Sequence, residues 1–211
     1  MKGSATVSRT VLAAMLTLAF ILIPTVACTN AQPQATSGRA DGQARSSVLQ
    51  AAKQVVNALQ ARNGKQLASL VHPKKGVRFS ASAYIDVKSD IVFSKHQVRH
   101  FWVNRKTYLW GFADGTGNPI EMTPSQYYRR YILNRDFLHP SSINVNNDRA
   151  VGNTNNNAAS VYPRGTRVEY YIKNSECNEE LKNDWAALRL VLERSNGFWF
   201  LVGVIHDEWT I

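Results

Sequence analysis

The side chains best suited to chemistry gather at the chain's end, where Gly197-Phe-Trp-Phe-Leu-Val-Gly-Val-Ile205 gives way to His206, Asp207, Glu208 and Trp209. An imidazole beside carboxylates can move a proton, and an apolar strand ahead of it can deliver that group to the mouth of a cavity. Strand geometry constrains the pair. Successive side chains on a strand point to opposite faces, so His206 and Asp207 cannot enter one cavity together unless a bulge intervenes. His206 shares parity with Phe200, Val202 and Val204, Asp207 with Trp199, Leu201 and Ile205, and either row could face a cavity. The structural alternatives are a hydrogen-bonded histidine at a strand end and an aspartate that accepts backbone or Trp N–H bonds.

Other combinations point to less. His96 and His100 sit four apart, as metal ligands on a helix can, but Lys95 and Arg99 flank them and no third ligand stands near. Asp114, Thr116 and Asn118 imitate the start of a calcium loop, yet Pro119 stands where that loop needs Gly and Ser125 where it needs a bidentate Glu. The chain has no Gly-x-Ser-x-Gly, no phosphate-cradling Gly-rich loop with Lys, no Cys-x-x-Cys and no His-Glu-x-x-His. No metal and no cofactor is therefore expected.

Only two cysteines occur, Cys28 and Cys177. Lys2 and Arg9 precede an apolar run, Val11 to Ile23, that is shorter than the ~20 residues a spanning helix needs. Pro24 breaks it. The following Thr25-Val-Ala-Cys28 resembles the lipobox of bacterial lipoproteins, although Thr25 replaces the usual aliphatic residue. That resemblance implies a signal peptide over 1–27 and lipid on Cys28; ordinary cleavage after Ala27 or Ala31 is the alternative. Cys177 lies among Glu176, Glu179 and Glu180, which disfavour a thiolate and with it catalytic use. If Cys28 carries no lipid, a disulfide between the two stays open in an oxidising exterior. Residues 28–45 are rich in Ala, Gln, Ser and Gly and read as a flexible tether. The net charge of +10, with a pI near 9.8, favours anionic partners, but no basic run of five or six residues occurs, so the charge also fits a solvated surface.

The elements that must position these groups follow from periodicity. Ser46 or Ser47 can cap a helix carrying Val48, Leu49, Ala52, Val55, Val56 and Leu59 at helical spacing, and Asn63-Gly64 supplies a stop. A second helix from Lys65 to Val71 must end at His72, ahead of Pro73. Extended segments fill Val77 to Phe93. A hairpin pairs Thr107–Phe112 with Pro119–Met122 and puts Tyr108, Trp110 and Phe112 on one face. Thr123-Pro-Ser-Gln126 opens a capped helix with Tyr127, Tyr128, Tyr131 and Ile132 inward and Arg129, Arg130 and Arg135 outward. After an Asn-rich excursion, three strands close the chain, the last two joined at Asn196-Gly197.

Helices followed by an antiparallel meander argue an α+β fold over residues 46–211, with N-terminal helices packed on a curved antiparallel sheet. With Leu70-Val-His72-Pro73, Gly76-Val-Arg-Phe79 and Trp199 to Trp209, this order resembles the NTF2-like (cystatin-like cone) superfamily. The same pieces resemble lipoproteins of Gram-positive bacteria. The resemblance implies a cone between helices and sheet that serves as an enzyme pocket, a ligand pocket or a packed core. A small-molecule lyase or isomerase of this kind needs a general base there, for which His72, Asp86 and His206 are the candidates. A binding cone would be lined by Tyr84, Trp110, Tyr131, His206 and Asp207. We expect the second: a non-catalytic lipoprotein on the extracytoplasmic face of the cell membrane, or a secreted one if Cys28 is not lipidated. It would bind a small molecule, a peptide or an envelope component. The expected partners are the membrane through lipid on Cys28, an anionic envelope component and a second copy in a homodimer, without nucleic acid. Palmitate labelling should mark the wild type and not Cys28→Ser; equal labelling of the two overturns the lipid assignment.

Overall fold

A computed structural model describes residues 37–113, 115–149, 155–173 and 184–209. Met1–Ala35 and Thr36–Ile211 cluster as separate units, and the described residues all belong to the second. The expected signal peptide, Cys28, Asp114 and Cys177 lie outside the described residues. Among the described residues, no helix is long and apolar enough to cross a membrane.

The first helix, α1, spans Ser37–Gln60 and so begins inside the stretch read as a tether. Residues 42–47 are exposed and burial starts at Val48. The residues from 42 to 47 include Ala and Arg, good helix formers, but present no buried apolar stripe that periodicity could reveal. From there Val48, Ala52, Val55, Val56 and Leu59 enter the core as their spacing predicts. Asn63 does not close this helix. Its Oδ1 accepts the Gln66 N–H at 3.0 Å and opens α2, Gly64–Leu70, while Arg62 makes the left-handed break at φ 49°. Gly64 is required by contact: a Cβ there would strike the backbone carbonyl of Arg99 in α3, Lys95–Arg99.

The strands are β1 Val77–Ser80, β2 Ile91–Phe93, β3 Tyr108–Phe112, β4 Pro119–Met122, β5 Ser142–Val145, β6 Thr166–Lys173, β7 Trp185–Ser195 and β8 Phe198–Glu208. Six of them form one sheet in the order β2-β1-β8-β7-β6-β5, and β3 with β4 makes a separate hairpin. Thus β8 lies inside the sheet, as apolar residues on both of its parities predict. All neighbours are antiparallel except β1 and β8, which run parallel with Phe79 opposite Val204. That pair departs from the expected meander, because a four-residue apolar run carries no signal of direction. Asn196 at φ 48° and Gly197 at φ 83° make the two-residue turn between β7 and β8.

The helical side of the sheet holds the main core, where Phe79, Phe93, Phe101, Trp110 and Tyr127 pack as interlocking rings. Trp110 stacks on Tyr127 at 3.8 Å and 12°, and donates its Nε1–H to Met122 O at 2.8 Å. The expected row of three aromatics breaks at Gly111. The β3–β4 register shifts between Leu109 and Phe112, leaving Phe112 58 % exposed. Tyr127 ends α4, Pro124–Tyr127, which continues as one wide π-turn over Tyr128–Ile132. Tyr128 donates its hydroxyl to Leu59 O at 2.8 Å and so ties this segment to α1.

On the opposite face, Ile85, Val191, Val202 and Ile205 pack under Ala158 of α5, Ala158–Val161. Beside them lies a buried ionic cluster. Arg189 on β7 is fully buried; its Nε donates to Glu169 on β6 at 3.0 Å and its Nη2 to Asp207 on β8 at 2.7 Å. Glu169 also accepts the Arg149 N–H at 2.6 Å, which pins the segment after β5 over the sheet. Burial pushes the Asp207 carboxyl up, against the pull of Arg189. Replacing Arg189→Met strands two buried carboxylates and should cost about 3–5 kcal/mol in urea unfolding. A loss below about 1 kcal/mol, the scale of an exposed pair, would show that the cluster does not hold the sheet.

Candidate functional site

Two cavities meet the helical side of the fold, and their chemistry differs. The first lies at the end of β8. A β-bulge decides what reaches it: Val191 faces Gly203 but Leu192 faces Leu201, so Val202 is the extra residue. Across the bulge, Leu201, Val204 and His206 share the main-core face, and Val202, Ile205 and Asp207 face the other way. His206 and Asp207 are thus split, as strand geometry requires, but the residues sharing His206's row ahead of the bulge are Leu201 and Trp199 rather than Phe200 and Val202.

His206 is 2 % exposed. Tyr131 meets its ring edge-on at 5.4 Å, and its Nε2 stands 3.3 Å from Glu208 Oε2, the next residue on the same strand face. Neither ring nitrogen makes an aligned hydrogen bond. Glu208 is held from two further sides, by Arg130 Nη2 at 2.5 Å and Asn134 Nδ2 at 3.1 Å. Burial pushes the Glu208 carboxyl up, but the adjacent His206 ring and the bonded Arg130 guanidinium outweigh it and bring the pKa to about 2. Arg130 also covers the Tyr131 ring at 4.7 Å. The cavity among these groups, Phe112 and Ile120 measures about 80 Å³, room for a few water molecules. This arrangement can hold a small polar guest and offers one imidazole to it.

The second cavity, about 400 Å³, opens between α1 and the β5–β6 end of the sheet. Leu49, Val56, Phe137, Leu138, Ile143 and Tyr170 wall it. Tyr170 is only 4 % exposed, and among the described residues its hydroxyl has no hydrogen-bond partner. Burial pushes that phenol up to about 12, so it remains a donor at neutral pH.

The remaining expected site residues are scattered. His72 closes a turn: its Nδ1 accepts the N–H groups of Lys74 at 3.2 Å and Lys75 at 3.0 Å, and its own N–H bonds Leu201 O at 3.0 Å. Five residues separate Leu201 from His206, roughly 15 Å of strand, so the two imidazoles cannot serve one reaction. Asp86 is exposed and caps its own turn, accepting Lys88 N–H and the Ser89 hydroxyl. Tyr84 is 51 % exposed and Trp110 is sealed in the aromatic core. Only Tyr131, His206 and Asp207 border one cavity, and the Asp207 carboxylate is committed to Arg189. Arg130, Asn134 and Glu208 were missed, as was the whole apolar cavity. The available signal was the spacing of His206 and Glu208 on one strand face. Among the described residues no cluster of metal ligands forms, and the exposed His96 and His100 rings lie 5.0 Å apart, tilted by 53°.

No protein-family model matches the chain, and no curated protein does. Among solved structures, a designed NTF2 protein is 12% identical, covering 80% of this chain and 98% of its own, with a TM-score of 0.32. An association domain of the calcium/calmodulin-dependent protein kinase II type from Xanthomonas campestris is 12% identical, covering 72% and 78%, with a TM-score of 0.28. Likeness at this level bears on neither activity nor ligand.

The lowered Glu208 pKa has a defined consequence. A carboxyl whose folded pKa lies below its unfolded 4.5 stabilises the protein above that pH, and the contribution disappears as pH falls toward 2. Glu208→Gln should therefore flatten the fall of melting temperature between about pH 4.5 and 2. An unchanged slope would mean that Arg130 and His206 do not hold the carboxylate.

Proposed function

We propose that this chain is a non-enzymatic, extracytoplasmic binding protein of NTF2-like architecture, held at the membrane by lipid on Cys28, that takes a small apolar molecule between α1 and the sheet. The observation that carries this reading is the 400 Å³ cavity, which falls in the ~300–1,000 Å³ range of small-molecule sites. Its walls leave Leu138 37 % and Ile143 43 % exposed, apolar area that a guest would remove from water. Tyr170 contributes one hydroxyl-bearing side chain to the wall. The cavity at His206 is too small for the same role, and the dispersal of His72, Asp86 and His206 argues against the lyase or isomerase that would need two of them together. Membrane attachment rests on the likeness of Thr25–Cys28 to a lipobox.

Fluorescence of the neutral probe N-phenyl-1-naphthylamine should rise saturably on binding to the wild type. Ile143→Trp, at a partly exposed wall position, should abolish the rise, whereas His206→Ala and His72→Ala should retain it. Loss with His206→Ala and retention with Ile143→Trp would refute the reading.

A further inference from the structure

We infer that the guest is a single-chain anionic amphiphile, with its tail in the apolar cavity and a carboxylate or phosphate head in the basic cleft next to it. This rests on the binding role proposed above and specifies the ligand class. The cleft is lined by Gln60, Arg62, Tyr128, Arg129, Arg135 and Leu138, together with neighbouring residues of the same loop. Leu138 lines both cavities, so at that point a single side chain separates them. Along α1 the step from Val56 in the apolar wall to Gln60 in the cleft is four residues, about 6 Å.

Charge accounting gives the cleft its sign. Arg135 is paired with Asp184 at 2.6 Å; Asp136, 2.8 Å from the His139 ring, is a carboxylate of the cleft lining itself and offsets part of its positive charge. Arg62 lies over the Tyr128 ring at 5.4 Å, and Arg129 donates to Ser125 Oγ at 3.2 Å. Among the described residues neither of these two guanidinium groups has a carboxylate partner. Lys53, which lines the apolar cavity itself, has none either. An apolar chamber beside two uncompensated arginines matches a molecule with the same division. Planar guanidinium groups bind carboxylate and phosphate through paired N–H donors, which favours those heads over a neutral alcohol.

Displacement of N-phenyl-1-naphthylamine by dodecanoate, dodecyl phosphate and dodecanol, each below micelle formation, tests the inference. Both anions should displace the probe at a concentration at least tenfold below that of dodecanol, and their order decides which head fits better. The double variant Arg62→Gln/Arg129→Gln should bring the anions to the dodecanol level and leave dodecanol itself unchanged. Lys53→Gln should have the smaller effect. If dodecanol equals the anions on the wild type, or if the double variant leaves their advantage intact, the inference fails while apolar binding stands. If neither probe nor dodecanol binds, the binding role fails with it. Sedimentation velocity covers the other occupant: a ligand-free dimer that the alkyl anions do not disperse would place a second copy on the cavity and overturn the inference.

Discussion

Arg189 has no water to fall back on. Its guanidinium is enclosed by β6, β7 and β8, and its bonds to Glu169 and Asp207 are what make that enclosure tolerable. Glu169 stands directly opposite it and Asp207 diagonally, so the contacts fix the register of three neighbouring strands at once. A slip of one residue in any of the three strands would carry that strand's charge toward the apolar core and leave its partners unpaired. Once that register holds, Val204 and His206 have only the helical side left to face.

The two cavities on that side owe their contrast to what fills the space between them. Five large rings, from β1, β2, the segment after α3, β3 and α4, pack together on the helical side of the sheet. What remains at the end of β8 is small and ionic; what remains between α1 and β5–β6 is larger and apolar. Ring packing of this density tolerates little repositioning, since each ring is held by several others. The less tightly interlocked parts of that side are the loop carrying Phe137 and Leu138 and the short edge strand β5.

Much of the scaffold was legible because it rests on local rules. The apolar stripe from Val48 to Leu59, the capping box at Thr123 and the Asn196-Gly197 turn each depend on residues close in sequence. The misreadings share a different cause. The bulge at Val202 is invisible in a run where Leu, Val, Gly, Val and Ile fit either phase, and it exchanged the row that leads to His206. Arg189 alternates with leucines like any solvated strand residue until a covering segment supplies Glu169 with the Arg149 N–H. For His206 the sequence left both rows of the last strand open, and the structure puts its ring beside Tyr131. Asp86 and Tyr84 lie in a turn, where side-chain direction has no period, and the apolar cavity is assembled from four separate segments.

The parallel pairing of β1 with β8 also sets the order in which the fold can be completed. β1 is made early but stays without its inner neighbour until the final described strand is present, more than a hundred residues later. Until then neither Phe79 nor the rings around it have a sheet to rest on. Closure of so long a loop is entropically costly and slow, so the domain gains most of its cooperativity in one late step. A chain stopped just short of β8 would lose the interior of its sheet rather than an edge. Its β1–β2 and β6–β7 pairs would be left as two exposed flanks with nothing to join them.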